Sequence, residues 1–251
     1  MDERFEAGLK LAGEAGRFLV GNRNSPEVFR TTDYDVKLKQ DTASEEIIIG
    51  GIEKMFPGDG YVSEERGSRE SCSRYVWTID PLDGTVNYSR GIPHCCVSIA
   101  CRNEDDAFGI VYDFFREETF TGRKGKGAFL NGKKINTSLV TELKNAIMCF
   151  GLIKGREEIG SGLLILSEIA PKVKKIRTTG SAALDLCYVA AGRIDLFLEV
   201  GLYPWDIEAG KIIIAEAGGK YFESVRGNQV LSCASNGKLK AEELCRNLLK
   251  T

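Results

Sequence analysis

Residues 77–88 read Trp77-Thr78-Ile79-Asp80-Pro81-Leu82-Asp83-Gly84-Thr85-Val86-Asn87-Tyr88, and the rest of the chain is organised around them. Val76, Trp77 and Ile79 have the apolar and β-branched character of a short buried strand. Proline cannot donate to a sheet ladder, so the chain is expected to leave the sheet at Pro81. Asp80 and Asp83 then fall at the strand end, with Gly84-Thr85 where a turn would open into a helix. Two acids so placed supply hard oxygens of the kind that hold Mg²⁺ together with a substrate phosphate. Backbone N–H groups at a helix start suit the phosphate itself. Taken singly, Asp-Pro and Asp-Gly are ordinary turn punctuation. What points to chemistry is the whole run together with Glu64-Glu65 upstream and Trp205-Asp206 far downstream.

Working outward, residues 3–20 place Phe5, Leu9, Ala12, Gly16 and Leu19 at helical spacing, an amphipathic first helix. Residues 22–41 are polar and aperiodic and are expected to form a long connection, a common form for a lid. Residues 44–56 carry Ile47, Ile48, Ile52, Met55 and Phe56 on one face, with Pro57-Gly58 as the stop. Asp41 is expected just ahead of this helix, where an acid also complements the helix dipole. Beyond the central run, 95–101, 107–112, 118–121 and 128–131 alternate with turns as an antiparallel meander. Gly122-Arg-Lys-Gly-Lys-Gly127 lacks the GK[ST] ending of a P-loop and precedes a strand, so it is a hairpin turn. Asn131-Gly132 marks another hairpin.

Near residues 136–145 the pattern changes, dividing the chain into halves 1–140 and 141–251. Strands are expected at 146–152, 173–177, 194–199, 220–222 and 230–234. Helices are expected around 162–170, 181–191, 206–217 and 238–249. The fold class is α/β (α+β), antiparallel-rich in the first half and mixed in the second.

Composition bounds the function. The 251 residues are 43% hydrophobic and 28% charged, with ample length for a core. A net charge of −2 gives no electrostatic basis for binding nucleic acid or an anionic membrane. Runs such as Arg123-Lys-Gly-Lys126 are short enough to be solvated faces. Neither a span of about 20 apolar residues nor a signal peptide is present, so the expected location is cytoplasmic. Eight cysteines without a CxxC pair, and one histidine, argue against structural zinc and for small core residues. Glutamine occurs only at 40 and 229 while Lys, Arg and Glu abound, a composition in keeping with a thermophile. A melting temperature in the mesophilic range would exclude that reading.

The central run, with Ser63-Glu64-Glu65, Gly180-Ser-Ala-Ala-Leu-Asp-Leu186, Tyr203-Pro-Trp-Asp-Ile-Glu-Ala-Gly210 and Ala215-Glu-Ala-Gly-Gly219, resembles the inositol monophosphatase superfamily of Mg²⁺-dependent phosphatases. The resemblance spans residues 5–235 in the family's order, and the compact length is most like archaeal-type members that handle inositol monophosphate and fructose 1,6-bisphosphate. It implies a layered α-β-α-β-α sandwich with the active site between the halves, a homodimer, and a small sugar or inositol phosphate as substrate. By the same resemblance, two or three Mg²⁺ (or Mn²⁺) would be held by Glu64, Asp80, the carbonyl of Leu82, Asp83 and Asp206.

Thr85 backed by Asp41 would orient the attacking water, and N–H groups of Gly84 and Thr85 would cradle phosphate. The family's T-x-x-D motif stands here as Leu38-Lys39-Gln40-Asp41, keeping the Asp and losing the Thr. Glu199 matches a position that contacts sugar hydroxyls, and Ser181 and Ala182 match a wall of the pocket. Arg177 would meet a second phosphate, or is simply a surface Arg at a strand end. Two alternatives stand beside this: a superfamily phosphatase for 3′-phosphoadenosine 5′-phosphate or histidinol phosphate, and a non-catalytic metal- and phosphate-binding regulatory protein.

Overall fold

The first helix, α1 (Asp2–Asn22), buries Leu11, Ala12, Ala15 and Leu19 along one stripe, as its 3.6-residue spacing requires. The structure is a computed structural model that describes residues 1–31, 36–151, 156–226 and 229–248. After α1, strands β1 (Val28–Thr31) and β2 (Val36–Leu38) pair antiparallel. The segment expected as an aperiodic connection thus contains two paired strands. Such a pair is held by backbone hydrogen bonds, which leave little trace in a polar side-chain pattern. Residues 32–35 of that expectation lie outside the described residues.

The second helix, α2 (Lys39–Met55), starts earlier than its apolar period. Gln40 and Asp41 are buried in its first turn, beneath the face formed by Ile48, Ile49 and Ile52. Asp41 is therefore inside the helix rather than ahead of it. Its Oδ2 accepts the Leu38 N–H at 2.6 Å and satisfies one of the donors that a helix start leaves open.

The larger sheet has eight strands in the order β10-β9-β8-β7-β6-β5-β3-β4. They are β3 (Gly60–Ser63), β4 (Gly67–Arg69), β5 (Val76–Asp83), β6 (Cys96–Arg102), β7 (Ala107–Asp113), β8 (Glu118–Arg123), β9 (Gly127–Leu130) and β10 (Lys133–Ile135). All neighbours are antiparallel except β3 and β5. The expected meander and both hairpins are present. Asn131 (φ 47°) and Gly132 (φ 74°) supply the left-handed pair that a tight β9–β10 turn needs.

Strand β5 does not end at Pro81. Pairing runs from Asp80↔Ser98 to Asp83↔Cys96, three steps along β5 against two along β6, so the proline rides in a bulge. A bulge requires no ladder bond from the missing N–H, and the strand carries on to Asp83.

The smaller sheet has the order β12-β11-β13-β15-β14. Strand β11 (Ile147–Gly151) is parallel to β12 (Lys175–Arg177) and β13 (Leu196–Val200). Strands β14 (Lys220–Arg226) and β15 (Gln229–Ser235) close it antiparallel. Between the strands come the short helix α3 (Thr85–Ser89), then α4 (Arg156–Ile169), α5 (Ala182–Ala190), α6 (Pro204–Glu216) and α7 (Ala241–Leu248). Residues 152 and 249, included in the expected elements, lie outside the described residues.

Packing yields five layers. Helices α1 and α2 cover one face of the large sheet; α5 and α6 fill the space between the sheets; α4 and α7 lie outside the small sheet. Almost every side chain of α5 is buried, as expected for a helix sandwiched on both sides. Helix α6 lies directly on β7 and β8 because Gly109 and Gly122 have no side chain. A Cβ at Gly122 would stand 2.7 Å from Ile213 Cα, and one at Gly109 would run into the Ala209 carbonyl.

A polar staple ties α1 to the large sheet. The buried Asp59 accepts Arg4 Nε at 2.7 Å and Nη2 at 2.8 Å, Trp77 Nε1 at 2.9 Å and the Ser73 hydroxyl at 2.7 Å. All eight cysteines are free, and all but Cys72 are buried, in line with the core role expected of them. No helix among the described residues is long and apolar enough to cross a membrane.

Candidate active site

The parallel pairing of β3 with β5 sets the first two acids side by side. Ser63 pairs with Ile79, so Glu64 leaves its strand next to Asp80. The β5 bulge then advances the chain so that Asp83 pairs with Cys96. Gly84 turns the chain into α3 at φ 91°, where a Cβ would lie 2.9 Å from the His94 carbonyl. Only glycine tolerates both the left-handed backbone and that approach. The fourth acid, Asp206, comes from the first turn of α6, with Oδ2 accepting the Tyr203 N–H at 2.7 Å.

Three of these acids act electrically on the fourth, Asp80. Burial pushes the Asp80 carboxyl well above the usual carboxylate range, and the charges of Glu64, Asp83 and Asp206 push it further, against one hydrogen bond from the Leu82 N–H. Burial also raises Asp83, countered by the Ser181 hydroxyl at 2.6 Å and the Ala183 N–H at 2.8 Å. Among the described residues neither Asp80 nor Asp83 has a lysine or arginine partner. Buried carboxylates without a cation are costly unless a positive charge enters the site.

Asp41 approaches from α2. Thr85 Oγ1 lies 3.2 Å from Asp41 Oδ1 and 3.0 Å from the Leu82 carbonyl, and its single proton can serve either acceptor. Burial, with Glu64 and Glu65, pushes the Asp41 carboxyl up to about 7 against the Leu38 N–H bond. Glu65 itself turns to Lys37, 2.7 Å away.

Of the residues expected on the substrate side, Ser181 is buried with its hydroxyl donating to Asp83, and Ala182 begins α5 beside it. Glu199, one residue before the end of β13, lies opposite Gly151, where a Cβ would collide with the Glu199 carboxyl. Arg177 is exposed at the end of β12, and its guanidinium donates to the neighbouring Ile176 carbonyl at 3.0 Å. The parallel strands of the small sheet thus direct both residues from their carboxyl ends, the usual place for ligand contacts in such sheets.

Two supporting residues escaped the sequence reading. Glu45, fully buried on α2, accepts the Ser63 hydroxyl and the N–H groups of Glu65 (3.0 Å) and Arg66 (3.2 Å), bracing the turn that carries Glu64. Ser44 Oγ donates to the Pro81 carbonyl at 2.8 Å and holds the bulge. Both fall on the Asp41–Ile48–Ile52 stripe of α2, so extending the helical period upstream would have found them.

The donor set fits Mg²⁺ in kind, since every candidate is a carboxylate or carbonyl oxygen. It fits in charge as well, since a divalent cation relieves the mutual repulsion around Asp80. Among the described residues the carboxylates are not drawn into a closed metal-binding group. Asp80, Asp83 and Asp206 rest instead on the N–H and hydroxyl donors named above.

Comparison with known proteins bears on the family and the fold. The profile of the Inositol monophosphatase family matches residues 1–248. The chain is 37% identical over 225 residues to Nus factor SuhB of Escherichia coli K12, covering 87% of this chain and 84% of that protein. It is also 37% identical over 250 residues to the inositol-1-monophosphatase of Mesorhizobium japonicum, covering 96% and 93%. The crystal structure of the suppressor protein SuhB from Bartonella henselae superposes with a TM-score of 0.89 at 32% identity, covering 99% of both chains. An inositol monophosphatase–fructose 1,6-bisphosphatase, the MJ0109 gene product, superposes at 0.81 with 26% identity, covering 97% of this chain and 98% of that one. The expected archaeal-type likeness is therefore the weaker one, and the stronger is to bacterial proteins named SuhB or inositol monophosphatase. With the family profile running almost end to end over a fold and an acid cluster that suit it, the chain belongs to the inositol monophosphatase family.

Proposed function

We propose that this protein is a Mg²⁺-dependent phosphomonoester hydrolase acting on inositol 1-phosphate and fructose 1,6-bisphosphate. The observation that carries the reading is Asp80: buried in β5 shortly before its end at Asp83, it faces the charges of Glu64, Asp83 and Asp206 and has, among the described residues, no lysine or arginine partner. Such a cluster repels a phosphate until cations stand between them. Two or three Mg²⁺, with Mn²⁺ as a substitute, would be held by Glu64, Asp80, the Leu82 carbonyl, Asp83 and Asp206. When bound, Mg²⁺ supplies positive charge for the phosphate oxygens and leaving alkoxide, and lowers the pKa of water.

The chain's own groups do the remainder. Thr85, its proton directed at Asp41 or at the Leu82 carbonyl, keeps hydroxyl lone pairs for an incoming water and orients it in line with the phosphorus. Asp41, poised near neutrality, takes up a proton at Oδ1 by way of the Thr85 hydroxyl. Backbone N–H groups of Gly84 and Thr85 cradle the phosphate. Glu199 and the Ser181–Ala182 wall face the leaving group. Arg177 receives a second phosphate, the basis for including the bisphosphate. By family resemblance the protein works as a cytoplasmic homodimer.

The direct test is phosphate release with Mg²⁺ on inositol 1-phosphate, fructose 1,6-bisphosphate and 3′-phosphoadenosine 5′-phosphate in parallel. Turnover of the first two supports the reading; turnover of the nucleotide alone replaces the substrate. Asp83→Asn should abolish turnover while the protein stays folded, and near-normal activity in that variant would sink the ligand assignment. The second reading is a non-catalytic binding protein, favoured by the relatives named as a Nus factor. It gains ground if Mg²⁺ binds and none of the three substrates turns over.

A further inference from the structure

His94 and Asp185 take no part in the chemistry above, yet they are buried beside it. His94 lies in the loop before β6, in the first half of the chain, and Asp185 in the first turn of α5, in the second. His94 Nε2 and Asp185 Oδ1 stand 3.5 Å apart, and neither atom makes a hydrogen bond. The His94 ring also meets Tyr188, one turn further along α5, edge to face with centroids 5.6 Å apart. The other Asp185 oxygen, Oδ2, accepts the Thr179 hydroxyl at 2.6 Å.

The loop that begins at Thr179 is held from the first half as well. Asn87 Nδ2 donates to the Thr179 carbonyl at 2.8 Å and to the His94 carbonyl at 2.7 Å. Two residues beyond Thr179, this loop delivers the Ser181 hydroxyl and then the Ala183 N–H, both onto Asp83 Oδ2. The buried pair, the Asn87 bridge and the Asp83 bonds therefore form one connected set of polar contacts across the two halves.

We propose that His94 and Asp185 are positioning residues that clasp the 179–183 loop and thereby aim the Asp83 carboxylate for metal binding. With its proton on Nε2 the imidazole donates to Asp185, and closing this contact satisfies two buried atoms at once. Opening it leaves both uncompensated and releases the loop that supplies Asp83 with two of its donors. Partners that orient a ligating carboxylate contribute about ten- to a hundredfold in metal affinity or activity. The proposal rests on the metal-phosphatase reading above.

The test measures Mn²⁺ binding to the metal-free protein by electron paramagnetic resonance, with thermal melts alongside. Asp185→Ala should weaken Mn²⁺ binding about tenfold or more. Asp185→Asn keeps an oxygen for Thr179 and an amide for the imidazole, and should stay close to wild type. Val189→Ala, a cavity in the same helix, should lower the melting temperature without moving Mn²⁺ affinity. If Asp185→Ala does not fold, Thr179→Val removes only the hydroxyl and should weaken Mn²⁺ binding several-fold.

A lowered melting temperature with unchanged Mn²⁺ affinity in the Asp185 or Thr179 variants would overturn the clasp. Equal loss of affinity in Val189→Ala would overturn it too. Failure of the wild-type protein to bind Mn²⁺ at all would instead overturn the metal reading itself, and the clasp with it.

Discussion

Ser181 Oγ donates to Asp83 Oδ2 at 2.6 Å, joining the end of β5 in one sheet layer to the start of α5 in the next across 98 residues of sequence. A buried hydrogen bond to a carboxylate contributes about 1.5–3 kcal/mol. Ser181→Ala should lose stability of about that size in urea unfolding, while Ser181→Thr retains most of it. Equal midpoints for wild type and the alanine variant would remove this bond from the account of the interface.

Asp41 gives a pH dependence with a definite sign. Its carboxyl is pushed up to about 7 in the folded protein, against about 3.9 in an unfolded chain. Between those values the folded state holds a proton that the unfolded state has released. The residue's contribution to stability is complete below the unfolded value and is lost as pH rises through the folded one. Metal-free Asp41→Asn cannot ionise there, so its unfolding free energy should fall less steeply than wild type between about pH 5 and pH 7.5. Parallel slopes for the two proteins would show that Asp41 titrates normally.

Asp59 is held below its usual range because bonds from Arg4, Ser73 and Trp77 outweigh the effect of burial. Its stabilisation is present above the unfolded-state carboxyl value and is lost as pH falls through the depressed folded value. Breaking a buried ion pair on one side costs about 3–5 kcal/mol. Asp59→Ala should lower stability by roughly that amount, read by chemical denaturation at neutral pH. The residue lies on the α1 side of the large sheet, so the molecules still folded should keep their phosphate-release activity.

Gly109→Ala tests how closely α6 must lie on the sheet. The new methyl would strike the Ala209 backbone, which cannot turn aside as a side chain could. Overpacking costs about 1–3 kcal/mol, and here the relief is a shift of the helix that carries Asp206. We expect lower stability and weaker Mg²⁺ activation together. A melt unchanged from wild type would mean that the layers are looser than the structure shows.

The elements that a side-chain pattern marks were readable without coordinates. Helix α1, the β6–β9 meander, the Asn131-Gly132 hairpin and the α/β alternation after residue 146 all appear where periodicity and turn residues placed them. The errors have one cause. At Pro81 and in the paired strands β1 and β2, backbone pairing decides the structure, and a polar or proline-bearing stretch carries little pattern to report it. Asp41 was misplaced by the same route, because α2 begins before its apolar face does.

What this sequence determined by itself is the inventory: hard oxygen donors at 64, 80, 83 and 206, a glycine at 84 that alone can make the turn, and apolar stripes that assign faces to helices. Only the tertiary structure decided which of these act on one another. The parallel register of β3 on β5 sets Glu64 beside Asp80, and close packing of α6 on Gly109 and Gly122 brings in Asp206. The Ser181 hydroxyl donates to Asp83, and His94 faces Asp185. Local sequence sets what each residue can do within a turn or a strand. Electrostatic coupling and burial depend on which residues the sheets and helices bring together across the whole chain.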